Sequence, residues 1–194
     1  MAVAMARGQV AVDLDGVVVD LVSAMLPKLS ELAGRAVTHD DITVFDIGRA
    51  LGLSDGAMTE LWDWLEHERA YVSAPPIDGA VDALRVLGPD GVRLVTSRPE
   101  SLRGQTLEWL AGHGLGDYRL DMGLPAQKLV ETNHFRALVE DNPTHLASLA
   151  SRVEVLVLFD QPWNRAAAAP ENTVRVRDWA EIEELLASTW REQR

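Results

Sequence analysis

Short apolar runs, each followed at once by polar residues, recur along the chain and constrain its fold more than any other feature. Runs this short and this rich in β-branched residues are typical of buried β-strands. The sequence predicts strands over residues 9–12, 92–95, 135–139 and 153–159, and a further short strand near 174–176.

Helical patterns separate these predicted strands. Apolar residues recur at three- and four-residue spacing over residues 79–87, 99–112, 143–150 and 178–190. Strands that alternate with helices of this length predict an α/β fold, a Rossmann-like three-layer α/β/α core around a parallel sheet. The polar residues after the strands then lie together at the carboxyl edge of the sheet, where open α/β folds bind ligands.

One interval is too long for this alternation. A strand, its crossover and the next strand need roughly 30 residues, and far more separate Asp13 from Thr96. We therefore expect residues 1–33 and 77–194 to form the core and residues 34–76 an inserted helical cap. Residues 54–71 are predicted to be the main cap helix, with Ser54 as its N-cap.

Composition excludes several classes of function. Eighteen Lys and Arg stand against 30 Asp and Glu, for a formal net charge of −12, and the chain has no cysteine. A surface this acidic argues against binding nucleic-acid polymers or anionic membranes. Thiolate catalysis and zinc–thiolate sites are excluded. Because no signal peptide or apolar span is evident, the expected location is the cytoplasm. A homodimer is one open possibility for the oligomeric state.

Two pairs of acidic residues follow predicted strands. Asp13 and Asp15 frame Leu14, and Glu140 precedes Asp141. Carboxylates this close repel one another, and a divalent metal relieves the repulsion; hard oxygen ligands favour Mg²⁺. The alternatives are an ordinary turn for the first pair and helix capping for the second, a role that Asn142 can also fill.

The remaining polar residues at the strand ends suit a phosphate. Thr96 and Ser97 precede a helix that begins near Pro99, and an isolated lysine stands at Lys128. Hydroxyls and backbone N–H groups at a helix start form a phosphate cradle, or serve simply as a helix cap. Lys128 is either a phosphate ligand or a solvated surface charge.

Taken in order, Asp-x-Asp-Gly, Thr-Ser, Lys and Glu-Asp resemble the four motifs of the haloacid dehalogenase (HAD) superfamily of phosphohydrolases. The resemblance spans residues 10–157, and more narrowly the sequence is similar to the 5′(3′)-deoxyribonucleotidase family. The early cap, Thr96-Ser97 and the paired acids carry that narrower resemblance. Two departures are Glu140, where the family usually has Asp, and Arg98-Pro99 after the second motif. They leave the substrate open.

The resemblance implies a role for each motif residue. Asp13 is the expected nucleophile, and Asp15 is the expected general acid and then general base. Mg²⁺ is expected on Asp13, the backbone carbonyl of Asp15, Asp141 and Glu140. The phosphate is expected on a further set of residues, namely Thr96, Ser97 and Lys128.

Substrate specificity is expected in the cap. Phe45 and Tyr71 are predicted to stack on a nucleobase, and Arg98 is predicted to contact the substrate. Trp62 and Trp64 cannot both face the same way at helical spacing, so at most one of them should touch substrate. The alternative is that these rings form the cap's own core.

Three residues after the last long strand, Asp160, Trp163 and Asn164, either shape the edge of the site or anchor a loop. The five histidines show no metal-ligand spacing and are predicted to be surface or packing residues.

The sequence thus predicts a Mg²⁺-dependent phosphomonoesterase that acts on nucleoside monophosphates. A phosphatase for another small phosphorylated metabolite, such as a sugar phosphate, is the main alternative. A non-catalytic phosphate-binding module is disfavoured, because a binder has no need of both Asp13 and Asp15.

Overall fold

A six-stranded, all-parallel sheet forms the centre of the molecule in the computed structural model, which describes residues 10–123 and 135–191. The strand order is β3-β2-β1-β4-β5-β6. The strands are β1 (Val10–Asp13), β2 (Val92–Thr96), β3 (Arg119–Met122), β4 (Ala137–Glu140), β5 (Val155–Phe159) and β6 (Thr173–Val176). From β1 the chain adds β2 and β3 on one side of the sheet, and β4, β5 and β6 then follow on the other side. The two directions meet between β1 and β4, which pair with each other.

Helices cover both faces of this sheet, and the α/β three-layer prediction is confirmed. In the described residues they are α1 (Leu21–Ala33), α2 (Ile47–Leu51), α3 (Asp55–His67), α4 (Ala70–Ser73), α5 (Ala80–Leu87), α6 (Arg103–Gly112), α7 (Pro143–Leu149) and α8 (Trp179–Arg191). Successive strand residues point to opposite faces. Val10 and Val12 accordingly join one buried apolar cluster, while Ala11 joins another.

The chain leaves the sheet after β1 and returns before α5 through adjacent segments. The Asp20 N–H donates to Pro75 O at 2.9 Å, and the Ile77 N–H donates to Val18 O at 2.8 Å. Helices α1 to α4 lie between these two points, and α1 packs against both α3 and α4. The boundary between core and cap at residue 34 stays a prediction.

The predicted cap helix over residues 54–71 is wrong in its length. Ser54 caps α3 as expected, since its side chain accepts from the Ala57 N–H at 3.2 Å. The helix ends at His67, because Arg69 has a φ of 55°, a left-handed conformation that breaks the hydrogen-bond ladder before α4 begins. Similarly, the helix predicted from Pro99 starts as a 3₁₀ turn over Glu100–Leu102.

Strand β3 was not predicted from the sequence. It lies at one edge of the sheet, and its sequence Arg-Leu-Asp-Met carries two charges. Asp121 pairs with Arg93 of β2, and Arg119 is exposed to solvent. An edge strand needs less apolar surface than a central strand, so its hydropathy signal is weak.

None of the helices in the described part of the chain combines the length and the apolar character that crossing a membrane requires.

Trp109 of α6 joins the core to the returning cap segment. Its ring is 1% exposed, and its Nε1–H donates to Ala74 O at 2.7 Å. We expect Trp109→Ala to lower the free energy of unfolding by about 3–5 kcal/mol, because it leaves a large cavity and an unpaired carbonyl. Urea unfolding measures the change. Leu107→Ala, in the exposed face of the same helix, is the control and should cost less than about 1 kcal/mol. Equal losses in both variants would contradict this role.

Candidate active site

The carboxyl ends of the three neighbouring strands β2, β1 and β4 bring the predicted motif residues together. Asp13 ends β1, Thr96 ends β2 and Glu140 ends β4. They open into a cavity of about 630 Å³, whose other walls come from the segment between β1 and α5. The predicted polar edge therefore lines a cavity, which helices between β1 and α5 cover.

Three carboxylates form the acidic floor of this cavity. Asp13, Glu140 and Asp141 each offer an oxygen within 4.8 Å of the other two. Burial, and then the charge of Glu140, raise the pKa of both Asp13 and Asp141 well above the ordinary value. An all-oxygen donor set with this repulsion fits a hard divalent cation, which would neutralise the charges. The side chain of Asp15 is not part of this cluster.

The two acids of the second pair are held by different partners. Glu140 Oε1 accepts from the N–H groups of Asp141 at 3.1 Å and Asn142 at 3.0 Å, so its carboxylate is fixed against its own backbone. Asp141 Oδ2 accepts from Trp163 Nε1–H at 2.8 Å. The side-chain amide of Asn164 donates to Asp141 O at 2.7 Å. The sequence left open whether Trp163 and Asn164 shape the edge of the site or anchor a loop. In the structure, both hold Asp141.

Gly16 lets the loop after β1 approach Asp141. Its φ is +81°, and a Cβ there would lie 2.9 Å from Asp141 Cγ and 3.1 Å from the Trp163 ring. Any larger residue would displace the carboxylate. The glycine of Asp-x-Asp-Gly is thus required by close packing as well as by its backbone conformation.

Asp15 is paired with an arginine from the second motif. Arg98 Nε–H donates to Asp15 Oδ2 at 2.8 Å, and Nη2–H donates to Oδ1 at 2.5 Å. The guanidinium also lies 4.8 Å from the centroid of the Tyr71 ring. Burial and the charge of Asp15 raise the pKa of Tyr71 to about 12. Arg98 and Tyr71 line the cavity as predicted, but they contact each other, which the sequence did not indicate.

Two of the three predicted phosphate ligands, Thr96 and Ser97, line the cavity. Thr96 is 3% exposed, and its Oγ1 accepts from the Arg98 N–H at 3.2 Å, whereas Ser97 is exposed at the cavity wall. Lys128 lies outside the residues that the structure describes. Its assignment stays a prediction.

Aromatic side chains line the cap side of the cavity. Phe45 is 53% exposed and Trp62 is 44% exposed, and both face the cavity. Trp64 packs against the apolar core instead, and which of these tryptophans touches substrate stays a prediction. Tyr71 is nearly buried beneath Arg98. The two exposed rings are therefore the accessible aromatic surfaces among the described cavity residues.

His145 lines the cavity, although the sequence indicated a surface or packing role for every histidine. Its Nδ1 lies 3.2 Å from Glu140 Oε2, and this hydrogen bond raises its pKa. Its ring centroid is 6.5 Å from that of Phe45. The available signal was its position in the first turn of the helix after Glu140-Asp141, a turn that must face the strand end.

Solved structures of the HAD class share this fold. A HAD family hydrolase from Deinococcus radiodurans with bound phosphate and sodium matches at a TM-score of 0.62 and 19% identity, over 94% of this chain and 96% of that chain. YfnB, a candidate HAD hydrolase of Bacillus subtilis bound to magnesium, matches at 0.60 and 14% identity, over 94% and 99%. These likenesses show that the chain has the HAD-like fold, with an acidic cluster in a cavity at the carboxyl edge of its sheet.

A narrower family is also identified. The family model described as 5′ nucleotidase, deoxy (pyrimidine), cytosolic type C matches residues 7–191, and the chain belongs to this family. BH1399 of Halalkalibacterium halodurans, a protein named as a candidate nucleotidase, is 28% identical over 175 residues, which cover 87% of each chain. The protein is therefore an enzyme, a phosphatase of a 5′-nucleotidase family, and the predicted resemblance is confirmed.

The raised pKa values of the acidic floor predict how the stability of the protein depends on pH and on Mg²⁺. Because the pKa values of Asp13 and Asp141 are raised on folding, the folded protein binds more protons than the unfolded chain. Its metal-free stability must therefore fall as the pH rises through these values. We expect Asp141→Asn, which removes one repelling charge, to raise the melting temperature in EDTA at about pH 8 and to lose the stabilisation that excess Mg²⁺ gives the wild type. Thermal unfolding with and without Mg²⁺ tests both effects.

Asp63→Asn, on the exposed surface of α3, is the matched control and should change neither value. A melting temperature for Asp141→Asn that is lower in EDTA and still rises with Mg²⁺ would contradict the proposed metal cluster.

Proposed function

We propose that this protein is a Mg²⁺-dependent 5′-nucleotidase that hydrolyses ribo- or deoxyribonucleoside monophosphates through an aspartyl phosphate. The observation that carries the proposal is the meeting of Asp13, Asp15 and the acidic pair with two exposed aromatic rings in one cavity. The family match and the magnesium of the YfnB structure support it. The cytosolic description of the family favours action in the cytoplasm, and a homodimer stays a prediction.

The chemistry follows from the positions of the two motif aspartates. Asp13 attacks phosphorus, the bond from phosphorus to the ester oxygen breaks, and the carboxyl of Asp15 gives its proton to the leaving nucleoside oxygen. Water then attacks the aspartyl phosphate while the Asp15 carboxylate takes a proton from it. Phosphate leaves, and both aspartates return to their starting states.

The metal ligands in this proposal are Asp13, Glu140, Asp141 and the backbone carbonyl of Asp15. A bound Mg²⁺ would neutralise charge on the phosphate oxygens and on the carboxylates around it. Thr96, Ser97 and Lys128 are the proposed contacts of the transferring phosphoryl group.

The base is assigned to the cap side of the cavity. Phe45 and Trp62 present exposed ring faces there, and stacking tolerates any base because every base has a π-face. A nucleoside monophosphate would thus place its phosphate at the strand ends and its base against the cap. Tyr71 contributes a further, mostly covered ring.

Phosphate release from a substrate panel tests the function. The panel holds ribo- and deoxyribonucleoside monophosphates and sugar phosphates, each with Mg²⁺ or EDTA. We expect Mg²⁺-dependent release from nucleotides and, in Asp13→Asn, a loss of at least about 1,000-fold, because the nucleophile is gone. Nucleotide turnover that survives Asp13→Asn would overturn the mechanism, and turnover confined to sugar phosphates would favour the alternative substrate class.

A second prediction concerns the cap rings. Phe45→Ala should raise KM for nucleoside monophosphates by about 5-fold or more, since one stacked base contributes roughly 1–3 kcal/mol. KM for ribose 5-phosphate, which has no base, should stay unchanged. Val86→Ala removes an exposed apolar side chain outside the cavity and is the control. Equal increases in KM for both substrates would show that Phe45 has a packing role.

A further inference from the structure

Arg98 stands where the second motif departs from the family pattern, and every nitrogen of its guanidinium is engaged. Nε and Nη2 donate to the two oxygens of Asp15, at 2.8 and 2.5 Å. Nη1 donates to Thr106 Oγ1 at 3.1 Å. The side chain is 3% exposed, and one face of the guanidinium covers Tyr71. Because each guanidinium nitrogen already donates to a protein oxygen, Arg98 is poorly suited to bind a substrate anion directly.

The surroundings of Arg98 fix its position. Thr106 is fully buried, and its hydroxyl donates to Leu102 O at 3.0 Å, so its oxygen presents a lone pair to Nη1. The Arg98 N–H donates to Thr96 Oγ1 at 3.2 Å. The arginine thus touches the end of β2, helix α6 and, through Tyr71, the cap helix α4. These contacts leave the guanidinium a single orientation, directed at Asp15.

We propose that Arg98 is a positioning residue for Asp15, which it holds at the leaving-group side of the site and ties to the cap through Tyr71. The inference rests on the proposed function, because it assigns the partner of the proposed general acid and base. A bidentate arginine fixes both the plane and the direction of a carboxylate, whereas a lysine fixes neither.

The chemical step gives this arrangement its use. When the Asp15 carboxyl gives its proton to the leaving oxygen, it becomes a carboxylate with two oxygens to satisfy. The Nε–H and Nη2–H groups of Arg98 already point at those oxygens, so the product of the proton transfer is stabilised without reorganisation. The same carboxylate is then correctly oriented to take a proton from the attacking water.

The dependence on the leaving group tests the proposal. A deoxyribonucleoside monophosphate releases an alkoxide that needs a proton, whereas p-nitrophenyl phosphate releases a stable phenolate that does not. We expect Arg98→Met to slow the first turnover of the nucleotide by about 30- to 100-fold, within the usual range for general acid catalysis, and that of p-nitrophenyl phosphate by less than about 5-fold. Arg98→Lys should fall between Arg98→Met and the wild type.

Two further variants separate positioning from a merely structural role. In an Asp15→Asn background, Arg98→Met should cost less than about 3-fold on the nucleotide, because residues that act through one another are not additive. Arg103→Met removes an exposed arginine that pairs with Glu100 outside the cavity, and it should leave both rates unchanged. Melting temperatures identify the conditions under which every variant is folded.

Each outcome decides a different point. Equal losses on both substrates, or losses that multiply in the Asp15→Asn background, would overturn the role of Arg98 and leave the proposed function standing. Wild-type enzyme that hydrolyses neither substrate would overturn the function and this inference together.

Discussion

Repulsion among buried carboxylates is the constraint around which the site is built. Asp13, Glu140 and Asp141 lie at the ends of adjacent strands, where parallel pairing forces them together. Backbone N–H groups fix Glu140, and Trp163 fixes Asp141. None of these contacts neutralises the charge. An all-oxygen cluster of this kind suits a cation, and in the proposed function a bound cation would let a protein with a net charge of −12 receive an anionic phosphate.

The polar and the apolar parts of the cavity come from different parts of the fold. Its floor is polar and comes from strand ends, whereas its roof is mostly apolar and comes from helices α1 to α4 and the turns between them. Arg98 connects the two, since it binds Asp15, which follows β1 beside the floor, and covers Tyr71 in the roof. The position of Asp15, the proposed acid–base group, is therefore linked through Arg98 to that of Tyr71 in α4.

Sequence reasoning predicted central features better than peripheral ones. Apolar runs such as Val155–Phe159 are buried on both faces and leave a strong signal. Strand β3 was missed because an edge strand can be charged. The helix break at Arg69 was missed because Arg69 is not a glycine, and the apolar spacing of a helix does not indicate which other residues adopt a left-handed conformation. The position of His145 at the cavity was missed because it depends on which strand end its helix turn faces.

The sequence by itself determined the α/β class and the set of acidic and hydroxyl residues at the strand ends, and it predicted an inserted cap. Local patterns carry these features, because burial and strand length act on neighbouring residues. Only the tertiary structure decided which residues meet across the chain. Arg98 binds Asp15, a pairing that the sequence did not indicate, and Trp163, whose role the sequence left open, holds Asp141. Such pairings join residues far apart in sequence, and their partners are selected by packing of the whole fold, which no local pattern encodes.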